Sequence, residues 1–426
     1  MMRPLRISAY TLCSAAGEGR EATYAALHAR QGGLRRNDFG PSLGRSADPN
    51  AGPATGERLG EGPLATWIGR VADLERYALP DEYIAWDCRN NRLAWRGLNA
   101  DGFIEAARSA RERYGADRVA VVMGTSTSSI GASEDAYRRL DADGRYPADL
   151  RRPIIHTPHS LGDFVQHALG LTGVSVTVAT ACSSSAKAFA HAERLIRAGL
   201  ADAAVVGGVD TLCGSVLFGF NSLELVSPEP CRPFDVQRRG INIGEAAGYA
   251  LLESQADGGP WLLGYGESSD AHHMSAPHPD GRGARLAIEA ALQSAQLAAA
   301  DIDYINLHGT ASQKNDQVEA RVVAATFAPD TVASSTKGWT GHTLGASGIV
   351  EAAISLIALE RGLLPGTLNC AVPDPACGPQ IRSENVARPA RYALSFSFGF
   401  GGSNCVLALG RSDAGPGGRP VMGRSR

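Results

Sequence analysis

The chain has 426 residues, a formal net charge of −3 and 20% charged residues, which describes an ordinary globular protein and excludes a nucleic-acid binder with a basic surface. Its eight cysteines form no CxxC pair and no zinc-ligand spacing with histidine, so we expect neither a disulfide framework nor a metal site. The first residues lack the apolar core of a signal peptide, and the apolar stretch 352–359 is too short to span a bilayer. We therefore expect a reduced, cytoplasmic protein without a membrane span.

Two segments are predicted to lie outside regular structure. Residues 38–66 are rich in Gly, Pro and Ala, which predicts a long surface loop, inserted near an entrance. The Gly- and Pro-rich tail that follows Arg411 predicts disorder for residues 412–426.

Between these segments, predicted strands and helices alternate. A first series of strands is predicted at 6–11, 119–124, 174–180, 203–209 and 248–253. A second series, after Pro260, is predicted at 261–269, 302–309, 331–336, 392–399 and 405–410. The helices are predicted at 185–198, 284–297, 316–326 and 346–360. Several strands are apolar on both faces, which is typical of α/β proteins whose sheets are covered by helices on each side.

The two series follow one plan. In each, a strand runs through a polar turn into a helix of small residues, and the clearest match is between residues 177–196 and 332–357. We therefore divide the chain into an N-terminal half, 1–258, and a C-terminal half, 259–411.

Cys182 lies where a predicted buried strand meets a helix whose first turn has small side chains. Unpaired amides and the positive end of the helix dipole would stabilise a thiolate there, and a sharp turn would expose the sulfur. The alternative is a buried structural cysteine, and the residues of this segment alone leave both open.

His308 ends an apolar strand and is followed by two hydroxyl side chains, Thr310 and Ser312. Sites gather at the ends of buried parallel strands, although a lone histidine is more often structural. Asp316 is placed to cap or support the next helix.

Lys337 and His342 lie in a run of Gly, Ser and Thr before an apolar helix that carries Glu351. A buried lysine needs a partner, and Glu351 is the nearest candidate; a surface position is the alternative. Further on, Phe398 and Phe400 lie beside three glycines, a pattern that fits either a bulged core strand or a glycine-hinged aromatic gate.

The motifs TACSSS, HGTAS with a following Asp, STKGWTGH with a following Glu, and SFGFGGSN occur in this order. In this they resemble the β-ketoacyl-acyl-carrier-protein synthases of the I/II type, within the thiolase superfamily, from about residue 5 to 410. The resemblance implies a five-layered αβαβα thiolase-like fold built from two similar halves. It also implies decarboxylative condensation of malonyl-acyl-carrier protein with a bound acyl group, in fatty-acid or polyketide elongation.

The resemblance implies a role for each reacting group. Cys182 becomes the acylated nucleophile, and its amide and that of Phe400, the gate residue, form the oxyanion hole. His308 and His342 hold the malonyl thioester carbonyl and stabilise the enolate.

The supporting roles follow from the same resemblance. Lys337, paired with Glu351, organises the site, and Asp316 supports it. Thr310 and Ser312 contact the phosphopantetheine arm, which the acyl carrier protein supplies, so no metal or separate cofactor is implied. The implied partners are the carrier protein and a second synthase-like chain, in a homodimer or a heterodimer.

Three features depart from the best-known fatty-acid enzymes. The usual GEGAG-like stretch is GEAAG at 244–248, Ile241 and Asn242 stand where an aromatic residue often occurs, and Glu224 lies near a usual basic docking position. These departures favour a secondary-metabolite synthase, such as one making aryl polyenes.

Two other functions are weighed against this one. A thiolase would need a second cysteine, for which Cys405 is the candidate, and would not decarboxylate malonate. A chain-length-factor-like partner would usually lack the nucleophile that Cys182 supplies. A type III-like synthase is disfavoured, because that branch uses a Cys–His–Asn set.

Overall fold

The computed structural model describes residues 3–39, 63–256 and 258–414. Most of the predicted loop 38–66 and of the predicted tail 412–426 lies outside these residues. The strands are β1 (Leu5–Ser14), β2 (Gly17–Glu18), β3 (Leu34–Arg36), β4 (Trp67–Gly69), β5 (Val119–Gly124), β6 (Ser175–Val178), β7 (Ala203–Asp210), β8 (Ile243–Gly244), β9 (Ala246–Glu253), β10 (Trp261–Ser269), β11 (Tyr304–Asn306), β12 (Val332–Ser334), β13 (Leu363–Leu364), β14 (Val386–Ala387), β15 (Tyr392–Gly399) and β16 (Ser403–Gly410).

The α-helices are α1 (Gly19–His28), α2 (Arg89–Leu98), α3 (Phe103–Tyr114), α4 (Ile130–Tyr137), α5 (Ser160–Leu169), α6 (Ser184–Arg197), α7 (Gly214–Ser222), α8 (Arg282–Ala295), α9 (Gln313–Thr326), α10 (Lys337–Thr340) and α11 (Ser347–Arg361). Short 3₁₀ segments lie at Asp81–Trp86, Ala100–Gly102, Ala148–Leu150, Ala299–Asp301, Leu344–Ala346 and Phe400–Gly402.

The main sheet has eleven strands, ten of which form two five-stranded halves with the same topology, while β2 pairs with β1. The N-terminal half has the order β1-β9-β7-β5-β6 and the C-terminal half the order β10-β16-β15-β11-β12. If the five strands of each half are numbered along the chain, both halves have the spatial order 1-5-4-2-3. Each pair of neighbouring strands also has the same direction, parallel or antiparallel, in both halves. The first strands of the two halves touch antiparallel, with Leu5 opposite Leu262, which joins them into one sheet. The repeated plan predicted from the sequence is confirmed as a repeat of topology; the 258/259 boundary stays a prediction.

Helices cover both faces of each half and give five layers. The central layer contains α6 and α11, which contact each other and both halves of the sheet. One outer layer contains α2, α3 and α5, and the other contains α8 and α9. The buried apolar residues accordingly form one large cluster around the two central helices and one cluster under each outer layer. This is the predicted αβαβα arrangement.

All ten predicted strands of the two series and all four predicted helices are present. Three strands are shorter than predicted, because the chain leaves the sheet early: β6 ends before Cys182, β11 before His308 and β12 before Lys337. The sequence analysis did not single out the other seven α-helices. In α2, for example, the buried face includes two polar side chains, Asn90 and Asn91, that interrupt the apolar pattern.

Among the residues described, none of the helices has the length and apolar character needed to cross a membrane.

Candidate active site

Cys182 lies in a tight turn between β6 and α6. The preceding residue, Ala181, has a φ of 51°, in the left-handed region that residues with a side chain rarely adopt. The sulfur is 4% exposed and lines a cavity of about 530 Å³. Substrates therefore reach the sulfur through this cavity. The sequence analysis had expected the turn to expose the sulfur at the surface, and it does not.

Gly399 makes room for the nucleophile. A Cβ at this position would lie 2.9 Å from the Thr180 carbonyl oxygen and 3.3 Å from the Cys182 nitrogen. Only glycine lets the end of β15 approach the turn so closely.

His342 contacts the sulfur directly. Its Nε2 lies 3.0 Å from Cys182 Sγ, and its Nδ1 lies 2.9 Å from Ser347 Oγ. The backbone N–H of Leu344 donates to Nδ1 at 3.3 Å. Because that N–H can only donate, Nδ1 accepts, and the ring proton is assigned to Nε2, facing the sulfur.

His308 is fixed through its own backbone. Its N–H and that of Gly309 donate to the two carboxylate oxygens of Glu319, both at 2.7 Å, and its carbonyl accepts from Lys337 Nζ. The imidazole lies edge-on to His342, with ring centroids 5.4 Å apart. The fold thus brings Cys182, His308 and His342 together around one cavity.

The electrostatics favour neutral groups. Burial, reinforced by the Lys337 cation, holds the pKa of His308 and of His342 well below the usual value, so both rings are neutral near pH 7. Burial also raises the pKa of Cys182 to about 11, although Lys337 and the Phe400 N–H act in the opposite direction. The expectation of a stabilised thiolate is therefore wrong for this state, because burial outweighs the nearby donors.

Lys337 and Glu351 form the ion pair that the sequence analysis predicted. Both side chains are at most 3% exposed, and Lys337 Nζ donates to Glu351 Oε1. Burial raises the pKa of Glu351 to about 7, although Lys337 lowers it. Lys337 thereby links the His308 carbonyl to the helix α11.

Asp316 supports the site without capping a helix. It lies in the first turn of α9, where Ser312 holds the N-cap position, and is 1% exposed. Its carboxylate accepts the N–H groups of Phe234, at 2.8 Å, and Ala311, at 3.2 Å, and both of these residues have positive φ angles. Asp316 therefore holds two strained turns beside the cavity.

Glu319 is a site residue that the sequence analysis missed. It follows Asp316 by one helical turn and is buried, and burial raises its pKa to about 8. A second acidic residue on the same helix face as Asp316 was the available signal.

Phe400 lies at the cavity, in a 3₁₀ turn between β15 and β16. Its backbone N–H acts to lower the pKa of the Cys182 thiol. Its ring lies 5.4 Å from that of Phe220 on α7, a residue that sequence reasoning did not single out. Phe398 lies 6.0 Å from the His308 ring. The bulged-strand alternative is thus wrong for Phe400, which lies outside the strand.

The cavity walls include the other predicted residues. Thr310 and Ser312 line it, and Thr310 Oγ1 donates to Ser312 Oγ at 3.0 Å. Glu224 lines its outer part and is exposed. Cys405 is fully buried in β16 and does not line the cavity, which removes the second cysteine that a thiolase would need.

Of the two unusual residues, only Ile241 lines the cavity. Asn242 is fully buried: its Oδ1 accepts the Cys231 N–H at 2.6 Å, and its Nδ2 donates to the carbonyls of Ser227 and Glu229. Its backbone carbonyl accepts the His342 N–H at 2.7 Å. Asn242 therefore ties a neighbouring loop to the segment that carries His342.

The GEAAG stretch is built into the fold. Glu245 is fully buried, pairs with Arg89 and accepts the N–H groups of Val71 and Leu212. At Gly244, a Cβ would lie 2.1 Å from the Thr340 carbonyl oxygen, so glycine is required there.

Among the described residues, one group has the donor atoms and spacing to hold a metal ion. It consists of Cys182, His308 and His342, whose donor atoms all lie within 4.8 Å of one another. The expectation that the protein needs no cofactor of its own stays a prediction.

The layered fold and the cysteine–histidine–histidine cavity define the chain as a condensing-enzyme-like member of the thiolase-fold proteins. Residues 92–258 match the model of the β-ketoacyl synthase N-terminal domain, and residues 261–371 match that of the C-terminal domain. The chain belongs to the β-ketoacyl synthase family and is an acyltransferase.

Relatives and solved structures agree with this assignment. Nodulation protein E of Rhizobium meliloti (strain 1021) is 36% identical over 305 residues, 68% of this chain and 75% of that protein. The 3-oxoacyl-[acyl-carrier-protein] synthase 2 of Staphylococcus aureus (strain COL) is 32% identical over 317 residues, 70% and 76% of the two chains.

Among solved structures, the ketosynthase ApeO in complex with its chain length factor ApeC from Xenorhabdus doucetiae matches with a TM-score of 0.82 and 36% identity. The match covers 96% of this chain and 98% of that chain. A β-ketoacyl synthase from Burkholderia phymatum STM815 matches with a TM-score of 0.79 and 27% identity, covering 96% of this chain and all of that one.

Proposed function

We propose that this β-ketoacyl synthase condenses malonyl-acyl-carrier protein with an acyl group carried on Cys182, releasing carbon dioxide. The observation that carries the proposal is the convergence of a buried thiol and two neutral imidazoles on one cavity, with Cys182 Sγ 3.0 Å from His342 Nε2. The pathway is fatty-acid or polyketide elongation.

The first step is acyl transfer to Cys182. The sulfur attacks the carbonyl carbon of the acyl thioester, a carbon–sulfur bond forms, and the carrier leaves as a thiol that takes the proton of Cys182. The N–H groups of Cys182 and Phe400 would stabilise the negative oxygen of the tetrahedral intermediate. The Phe400 N–H acts to lower the pKa of the Cys182 thiol, which supports this role.

The second step uses the two histidines as donors. With its proton on Nε2, His342 donates toward the malonyl thioester oxygen, and neutral His308 donates beside it. The carboxylate leaves as carbon dioxide, and the enolate carbon attacks the acyl-Cys182 carbonyl. Cys182 leaves as a thiolate and takes one proton from solvent, which restores the thiol.

The supporting residues keep these donors in place. Lys337 fixes the His308 carbonyl and is itself held by Glu351, while Asp316 holds the turn that carries Ala311. Thr310 and Ser312 line the cavity along the route that a phosphopantetheine arm would take to Cys182. The carrier brings that arm, so no separate cofactor is proposed.

The proposed partners are an acyl carrier protein and a second chain of the same fold. The ketosynthase ApeO, to which this chain is similar, was solved in complex with its chain length factor. In this chain β6 is the edge strand of the sheet, and all four of its residues are only partly buried. An open edge beside the nucleophile supports pairing with a homodimer or heterodimer partner. A cytoplasmic location stays a prediction.

The test is to incubate the protein with a panel of acyl-carrier thioesters and to weigh the intact protein. We expect an acyl adduct that maps to Cys182 and is absent from Cys182→Ala. If no thioester gives an adduct, the chain acts instead as a chain-length-factor-like partner. If saturated acyl groups are elongated efficiently and aryl or polyenoyl groups are not, the aryl polyene-like assignment is wrong.

A further inference from the structure

One group of potential metal ligands could not be predicted from the spacing of residues in the sequence. It consists of Cys182, His308 and His342. Two of these residues, Cys182 and His342, are 160 positions apart in the chain, and yet their donor atoms are in contact. The donor atoms of all three lie within 4.8 Å of one another, and all three side chains are buried. A thiolate and two imidazoles are the ligands that Zn²⁺ prefers.

We infer that the unacylated enzyme binds Zn²⁺ through these three side chains and is blocked by it. The inference shares its residues with the proposed function, but it rests on the donor geometry and not on the reaction. The fourth position would face the cavity, where a water molecule completes a tetrahedral shell, as in zinc sites with three protein ligands.

The ring of His308 is available to a ligand. His308 has a buried Nδ1 without a hydrogen-bond partner among the described residues, so its ring is not committed to a protein acceptor through that atom. A buried polar atom without a partner is costly, and a ligand that orients the ring would compensate.

His342 can turn its free electron pair to the metal without moving. Zinc binding at Nε2 requires the ring proton to shift to Nδ1, and the Nδ1–H group can then donate a hydrogen bond to Ser347 Oγ at 2.9 Å. This shift costs the loss of the long hydrogen bond that the Leu344 N–H donates to Nδ1. A metal-binding histidine usually donates its second ring N–H to an oxygen acceptor that fixes the ring, and Ser347 Oγ would be that acceptor here.

The binding reaction balances with the loss of one proton. The Cys182 thiol gives up its proton to solvent as the sulfur–zinc bond forms, and the two imidazoles stay neutral. Binding is therefore weaker at lower pH, and it competes with acylation because a thioester sulfur has no charge to offer the metal. Zinc would act as an inhibitor that acyl transfer to Cys182 displaces.

The test replaces zinc by Co²⁺, whose absorption reports the ligands. We expect the wild-type protein to develop a thiolate-to-cobalt charge-transfer band and tetrahedral visible bands, which added Zn²⁺ removes. Cys182→Ser should lose the charge-transfer band. His308→Ala and His342→Ala should each weaken binding by at least about tenfold, since even the partners of metal ligands contribute that much.

The matched control is Cys88→Ser, which removes a different buried cysteine at the N-cap of α2, where serine is well tolerated. It should bind Co²⁺ as the wild type does. Absence of the band in the wild type, or its persistence in Cys182→Ser, overturns the inference. Acylation of Cys182 measured by mass in the same preparation decides the proposed function separately, because acylation without cobalt binding would leave that function standing.

Discussion

The two halves of the molecule share one strand order but carry different chemistry. After the second strand of the N-terminal half, Thr125, Ser126 and Thr127 form hydrogen bonds with the buried carboxylate of Asp210. After the second strand of the C-terminal half, His308 and Gly309 donate their N–H groups to the buried carboxylate of Glu319. In both, a carboxylate fixes the loop that leaves the sheet.

The loops after the third strands of the two halves carry different reactive residues. In the N-terminal half that loop carries Cys182, and in the C-terminal half it carries Lys337 and His342. The repeated fold therefore places equivalent loops around one cavity, and the different residues in these loops have different chemical roles. One half supplies the nucleophile, and the other supplies the two histidines that are proposed to donate to the malonyl group. Each prediction below tests one side of this division.

The largest effect is expected on the nucleophile side. Cys182→Ala should lower the rate of condensation by at least about a thousandfold, because the sulfur that is proposed to carry the acyl chain is removed. The measurement is product formation from acyl- and malonyl-carrier substrates. Cys88→Ser, which changes a buried cysteine outside this cavity, should keep full activity. Activity within tenfold of wild type in Cys182→Ala would contradict the division.

On the donor side, His308→Ala should lower condensation by about a hundredfold, the usual loss when one preorganised oxyanion donor is removed. Acylation of Cys182 should continue, because His308 is proposed to act on the malonyl group. The two steps are measured separately, by intact mass and by carbon dioxide release. The exposed His167, on α5, provides a matched His→Ala control with no expected loss. Equal loss in both steps would place His308 in acyl transfer instead.

The support of the donor side is tested by Lys337→Met. This change leaves Glu351 buried without its cation and should destabilise the fold by about 3 kcal/mol, the lower end of the cost of breaking a buried pair. Glu351 can take up a proton, since its pKa is about 7, which limits the cost. Urea unfolding measures the change, and adding Glu351→Gln should restore part of it. An unchanged midpoint for Lys337→Met would contradict the pairing.

The smallest effect is a pH dependence from Glu319. Burial raises its pKa from 4.5 to about 8, so the folded protein holds this proton more tightly than the unfolded chain. Its contribution to stability is therefore complete below pH 4.5 and is lost as the pH rises through about 8. In Glu319→Gln, which has no proton to lose, that downward slope should disappear. Urea unfolding of both proteins across this range measures it; identical slopes would show that Glu319 does not titrate there.

Much of this arrangement could be predicted from the sequence, because the periodic signals are local. The strands of both halves and the pairing of Lys337 with Glu351 follow from apolar runs and from the need to neutralise a buried charge. The early ends of β6, β11 and β12 could not be predicted, since the residues just beyond them are as apolar or as small as those within.

The features that the sequence analysis missed or could not explain depend on contacts between distant segments. Glu319 binds backbone groups, which leave no mark on the side-chain pattern of the HGTAS loop. Asn242 interrupts an apolar run, and its role appears only when the Cys231 and His342 segments are seen to meet there. The raised pKa of Cys182 likewise depends on how deeply the cavity is enclosed, which a strand-to-helix junction does not specify.

The most direct test of the division between the halves is a chase of the acylated enzyme. Protein carrying an acyl group on Cys182 is isolated and mixed with malonyl-carrier substrate, and the adduct mass and carbon dioxide are followed together. The two-half account predicts that the adduct disappears only when the malonyl substrate is added, with one carbon dioxide released for each adduct lost. Loss of the adduct without carbon dioxide, or an adduct that survives the chase, would contradict it.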